Sequence, residues 1–233
     1  MTLSAQTMTS AEASRLLGVS SRQIQRLADS GRITIVGHVG RIALLDTNSV
    51  LQLRQVGVAR GRAWNEATVW SAIALLDGAV EVGIDDAATR WHLRNRLQNM
   101  SAEQLVRVAG HRATIVRYRA SASQLRAIGA GVMLAGTSAL DDDGELAQTF
   151  GLAQSTPDAV DGYVSAEDAA ALEDRFFLIR DHAGNVKFRL TKSRRADAHI
   201  ASVAAVAIDL AESLDTRQRS AGLRVLRRLL GRL

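Results

Sequence analysis

The sequence predicts an α+β fold in two parts: an N-terminal unit of short helices and a hairpin, then a helical segment, a β-α-β-β-α-β layer and two closing helices. Three observations carry this expectation. The apolar period switches between helical and alternating several times along the chain. Ser/Thr-x-x-Glu/Gln boxes stand before apolar-periodic runs at Thr9, Ser20, Ser101 and Ser121, the signature of helix starts. Charge is also unevenly placed: the formal net charge is +5, and residues 1–62 hold eight arginines against three acids, while residues 63–233 balance 21 bases with 21 acids.

The elements follow in order. Thr9-Ser10-Ala11-Glu12 starts a helix with Ala13, Leu16 and Leu17 on one face, and Gly18 stops it. Ser20-Ser21-Arg22-Gln23 starts a second helix, which buries Ile24, Leu27 and Ala28 and ends at Gly31. The period then becomes extended: Arg32 to Val36, a Gly37-His38-Val39-Gly40 turn, and Arg41 to Leu45 form a hairpin. Asp46 or Thr47 caps a third helix with Val50, Leu51 and Leu53. Arg60-Gly61-Arg62 marks a boundary between residues 1–62 and 63–233, consistent with one or two domains for 233 residues. Helices are expected from Asn65 to Leu76, Asp85 to Met100 and Ser101 to Ala109. Thr114–Arg119, Val132–Ala135, Val160–Val164, Phe176–Arg180 and Val186–Leu190 alternate or run apolar as strands, with helices at Ser121–Ala130 and Ser165–Asp174. That order is the one of a ferredoxin-like (split βαβ) layer, plus one strand. Helices at Ala201–Glu212 and Thr216–Leu230 close the chain.

Composition excludes several classes. Hydrophobic residues make up 47% and charged residues 23%, outside the disordered range. With no cysteine, disulfide frameworks, zinc-finger ligand sets and thiol nucleophiles are excluded. There is no apolar run of about 18 residues, and the first residues lack a basic start and an apolar h-region, so a soluble, cytoplasmic protein with no membrane contact is expected. Within the neutral part the charge is blocked again: residues 90–126 have eight arginines and one acid, 127–174 ten acids and no base, and 175–233 thirteen bases and five acids. Such blocks serve nucleic acid, a protein partner or each other.

The N-terminal unit has the parts that read DNA. A helix fits the major groove, Arg bonds bidentately to guanine and Gln to adenine, and surrounding cations meet phosphates. The residues expected on double-stranded DNA are Arg22, Gln23 and Arg26 in the groove, and Ser20 and Ser21 as phosphate donors at the helix start. His38 and Arg41, placed at the hairpin tip, complete the set as a wing. Two-fold operators would imply a homodimer, but no dimer seam stands out. The plainer alternative is a small helical domain whose arginines are merely solvated.

The run from Met8 to Ile33, MTSAEASRLLGVSSRQIQRLADSGRI, resembles the MerR-like and excisionase-type winged helix-turn-helix domains. The resemblance covers residues 8–54 and implies DNA binding through the second helix and the wing. No heptad-patterned helix follows residue 55, so a MerR-type coiled coil is not expected. The remainder resembles the C-terminal part of actinobacterial regulators associated with AbiE-type (type IV) toxin-antitoxin pairs. The residues behind this are Arg62-Ala63-Trp64 with Trp70–Leu76, His111–Ala120, Val160–Val164 and Ala207–Ser213. That resemblance implies an autorepressing antitoxin that neutralises a nucleotidyltransferase-like toxin encoded nearby.

Catalysis is not expected, and neither is a cofactor or a metal. A nucleotidyltransferase needs a Gly-Ser turn and, further on, metal-binding carboxylates at alternate strand positions. Gly136-Thr137-Ser138 followed by Asp141-Asp142-Asp143 imitates this at too short a spacing, and Gly144 marks a solvated loop. The histidines lack metal-like pairing, and no P-loop, G-x-G-x-x-G or G-x-S-x-G occurs. Phe176, Phe177, Phe188 and Tyr163 are expected in a core, and Trp64, Trp70 and Trp91 as packing anchors. The competing functions are a small-molecule-responsive repressor, an enzyme with an appended DNA-binding module, and an architectural DNA-binding protein.

Overall fold

The computed structural model describes residues 7–58, 64–79, 84, 86–192 and 198–233. The chain is a mixed α+β protein that divides into two compact units, Met1–Arg62 and Ala63–Leu233. The Arg60–Arg62 stretch expected as the boundary lies outside the described residues, as does Asp85, the expected start of a helix.

The first unit runs β1 (Thr7–Thr9), α1 (Ser10–Leu17), α2 (Ser21–Asp29), β2 (Ile35–Val39), β3 (Ile42–Asp46) and α3 (Thr47–Val56). Thr9 and Glu12 make both bonds of the capping box, and Gly18 ends α1 in the left-handed region. At α2 the Ser20 half of the box is formed, Gln23 N–H donating to Ser20 Oγ at 3.3 Å. The strands form one antiparallel sheet in the order β1-β3-β2. β1 was not expected; three residues are too few to show a period. Ala13, Ile24, Leu27, Ile33, Leu45, Val50 and Leu53 form the core beneath the helices.

The hairpin differs from expectation in register. Gly37, His38 and Val39 belong to β2, His38 opposite Ala43 and Val39 opposite Ile42, and the turn is Gly40-Arg41. The register shifts between Ile35 and Gly37, and Gly40 takes φ +60°, the conformation a two-residue hairpin loop needs. His38 is therefore within a strand, not at the tip.

The second unit begins with α4 (Glu66–Leu76), α5 (Ala87–Gln98) and α6 (Ala102–Val108). It continues with β4 (Thr114–Arg119), α7 (Leu125–Gly129), β5 (Met133–Leu134), α8 (Gly136–Asp142), α9 (Gly144–Phe150), β6 (Val160–Val164), α10 (Ala166–Phe176), β7 (Ile179–Arg180), β8 (Val186–Leu190), α11 (Val203–Ala211) and α12 (Thr216–Leu230). The sheet order is β5-β6-β8-β4-β7. A split β-α-β places one strand between two parallel ones, but here β6 and β8 are direct parallel neighbours, and both lie between β4 and β5. The order thus departs from the ferredoxin-like layer. The added strand takes the central place: Val186 and Phe188 on one of its faces are wholly buried, and Lys187 and Arg189 on the other are paired with Asp161, so both faces are covered and satisfied.

Three further expectations are corrected. Phe176 ends α10, and Phe177 caps it in the left-handed conformation, leaving a two-residue edge strand. Phe177 is 87% exposed, and Trp91 is 61% exposed where an anchor was expected. Asp141–Gly144 is not a solvated loop: Asp143 caps α9 through the N–H groups of Glu145 and Leu146. Helix α11 is buried along Ala204–Ala211, and α12 crosses it closely. A Cβ on Gly222 would come within 2.5 Å of the Ala207 carbonyl oxygen, so only glycine permits this approach.

Candidate nucleic-acid interface

Helix α2 buries Ile24 and Leu27 in the first unit's core. By the 3.6-residue period the opposite face carries Arg22, Gln25, Arg26 and Asp29, all exposed, as is Ser21. Gln23, expected in the groove, is partly buried. Gln25 takes the exposed place instead, and its Nε2 donates to Asp29 Oδ1 at 2.8 Å. The signal that marks Gln25 is its i+3 spacing from Arg22. The Ser20 cap uses an acceptor lone pair, which leaves the hydroxyl hydrogen able to donate to a phosphate oxygen.

Arg41 stands exposed at the hairpin turn, and His38 is exposed further down β2. Val39 and Ile42, paired beside the turn, are exposed as well. Arg22, Arg26 and Arg41 make no ion pair among the described residues. The expected residues thus fall on two elements of one small unit: Ser20, Ser21, Arg22, Gln23 and Arg26 on α2 and its cap, His38 and Arg41 on the hairpin. At the first helix, the Thr9 backbone N–H holds the Glu12 carboxyl below its ordinary pKa, which keeps the cap charged.

Polar chemistry in the second unit is concentrated in the interior. Arg189 donates from Nε and Nη2 to the two oxygens of Asp161 at 2.7 and 2.9 Å, and its Nη1 lies 2.8 Å from Asp209 Oδ1. Arg112 Nη2 lies 2.6 Å from the same oxygen. Its guanidinium also reaches both oxygens of Glu212, at 2.9 and 2.5 Å, and its Nε donates to the Tyr163 hydroxyl at 2.8 Å. That hydroxyl donates to Asp209 Oδ1 at 2.7 Å. Lys187 Nζ meets Asp161 Oδ2 at 2.7 Å.

Burial would raise the Asp161 pKa, but Arg189 and Lys187 overcome it and hold the carboxyl well below the usual range. Burial, with the Asp209 charge, pushes the Tyr163 phenol up, so it stays protonated. Burial and the nearby Arg189 cation push Lys187 down to about 8. Three cations face three carboxylates, a balanced set whose strongest groups are already paired, although the buried Asp209 Oδ2 has no hydrogen-bond partner among the described residues. It braces the sheet against α11. Sequence reading missed it because its members lie in four separate segments: Arg112 before β4, strands β6 and β8, and α11 with its C-cap.

Asp141 and Asp142 line a cleft of about 590 Å³ with Arg126, Leu125, Leu134 and His199. The acids do not converge. Asp141 Oδ1 accepts from Ser155 N–H and Oγ–H at 2.8 and 3.0 Å, and Asp142 Oδ2 is 3.4 Å from His199 Nε2. No cluster of three metal-ligating side chains occurs among the described residues. None of the described helices is long and apolar enough to cross a membrane. Searches against protein-family models, curated proteins and solved structures found no match to this chain.

Proposed function

We propose that the chain is a DNA-binding transcriptional regulator whose N-terminal unit acts as a winged helix-turn-helix. Helix α2 enters the major groove, and the β2–β3 hairpin serves as the wing. The observation that carries this reading is the exposed stripe Arg22, Gln25, Arg26 on a helix whose other face is locked in a core. Such side chains reach base edges, while arginines without ion pairs among the described residues keep their charge for phosphates.

The test is fluorescence anisotropy of the full chain on its own upstream DNA and on a scrambled duplex across salt concentrations. A preference of about 4 kcal/mol or more for the upstream DNA, erased by Arg22→Ala and Arg26→Ala, supports the reading. Equal binding that vanishes with salt means that only phosphates are felt, and overturns it.

The resemblance of the second unit adds a finer form: an autorepressing antitoxin of AbiE type, with a nucleotidyltransferase-like toxin encoded nearby. Coexpression tests it, since failure to protect cells from the neighbouring gene's product removes it. The cleft beside Arg126 and Asp141 favours a second reading, a repressor that answers to a small molecule, because its volume lies within the range of such sites. A metabolite panel followed by thermal shift decides between them.

A further inference from the structure

Side chains alternate along a strand, so pairing register assigns them to faces of the second unit's sheet. Arg117 stands opposite Lys187, Arg119 opposite Ile179, and Asp161 opposite Lys187. These residues share one face. Exposure rises across it toward the β7 edge: the Arg189 side chain is 2% exposed, Lys187 17% and Arg119 61%, and Ile179 is 69% exposed. Asp209 and Glu212, on α11 and at its C-terminal cap, cover the β6–β8 end of this face. The β4–β7 end stays open and basic. Lys187 shares Asp161 with Arg189, and Arg119 has Asp181 at 2.6 Å.

On the other side of the same edge acids outnumber bases: α10 carries Glu167, Asp168, Glu173 and Asp174, against Arg175 and the β7 residue Arg180, which lies 3.7 Å from Glu173. The Tyr118 hydroxyl, which points to the opposite face from Arg117 and Arg119, donates to Glu173 of α10 at 2.9 Å. Helix α10 therefore lies on that side. It exposes Glu167, Ala170, Ala171 and Asp174, a stripe at helical spacing. The basic and acidic sides meet at β7, whose outer edge pairs with no described strand. Phe177 stands there, 87% exposed, at φ +50°, the one non-glycine residue with positive φ among those described. A bulky side chain in that region carries strain, and here it also holds an aromatic ring in water.

We propose that this edge is a two-fold interface with a second copy of the chain. A two-fold axis along β7, in the plane of the sheet, turns the second copy over. The α10 side of each copy then lies beside the Arg117-Arg119-Lys187 side of the other. The contact is isologous, with Phe177 and Ile179 as its apolar centre and charges at its rim. A second copy is the occupant because the chain carries both halves of the pattern at this edge: Arg117 and Arg119 on one side, Glu167 and Asp174 of α10 on the other. This inference stands apart from the DNA-binding reading and holds whether or not α2 contacts DNA.

Sedimentation equilibrium of the full chain is the test, with circular dichroism to check that each variant is folded. The expected result is a dimer at micromolar protein that weakens on the order of tenfold in high salt, since its charges sit at the rim. The Arg117→Glu/Arg119→Glu variant and the Glu167→Lys/Asp174→Lys variant are each expected to be monomeric, and to form a heterodimer when mixed. Ile179→Asp, at a site 69% exposed where substitutions cost little stability, also yields a monomer, and it decides the matter if the double variants fail to fold. A wild-type chain that is monomeric throughout overturns the proposal. So does a dimer indifferent to Ile179→Asp, and so do folded charge variants that stay apart on mixing.

Discussion

In the first unit, Arg22 and Arg26 stand in solvent with no ion pair among the described residues, whereas in the second unit Arg112 and Arg189 are buried and reach three carboxylates between them. The same side chain serves opposite ends. Exposed guanidinium groups cost little to keep and can be spent on a partner. Buried ones hold the fold and cannot be released, because each unpaired charge left inside costs several kcal/mol. Charge counting alone does not separate these uses, since the arginine-rich block 90–126 contains the buried Arg112 as well as the exposed Arg119.

The largest expected effect breaks the interior side of this contrast. Asp209→Ala strips both guanidinium groups and the Tyr163 hydroxyl of a shared acceptor, and should cost about 3–5 kcal/mol in urea unfolding. A loss below about 1 kcal/mol would show that the network is not holding the fold.

Next is a pH effect. Lys187, pushed down to about 8 in the folded chain, titrates near 10.4 when unfolded. Between those values the unfolded state binds more protons, so stability should rise with pH, by up to about 3 kcal/mol. Only Lys187 and Lys192 are lysines; the phenols of Tyr118 and Tyr163, raised in the folded chain by burial, act the other way once pH nears about 10, so the rise is read below that. In Lys187→Met the rise should disappear; a rise that persists assigns it elsewhere.

On the exposed side, Arg22→Ala and Arg26→Ala should each weaken specific DNA binding by about 1–3 kcal/mol while moving unfolding midpoints little. A stability loss of the same size in either would move that residue into the structural group. The smallest effect is local: Ser20→Ala, which removes the acceptor for Gln23 N–H, should cost about 1 kcal/mol of stability. Guanidinium unfolding of the full chain detects it.

Legibility follows the range of the interaction. The Thr9 box and the Gly18 stop were readable, and the cap of α3 was narrowed to Asp46 or Thr47, because each joins residues a few positions apart. Strands β4, β6 and β8 were readable from alternation or apolar runs. The hairpin register was not, because the shift between Ile35 and Gly37 is set by pairing with β3. Phe177 was assigned to the core by its residue type, which carries no information about where α10 ends. Gln25 was passed over for Gln23, since one residue of rotation about α2 decides which amide faces out.

The α+β character, the starts of α1, α2, α6 and α10 and the confinement of excess positive charge to residues 1–62 came from the chain alone, because capping, period and composition are properties of neighbours along it; α8 and α9, which no such signal marked, did not. Tertiary structure alone decided that β8 lies between β4 and β6, that Arg112 and Arg189 converge on Asp209, and that Phe177 is left in solvent. Those outcomes depend on which faces are covered, and burial is settled by segments far apart in the chain.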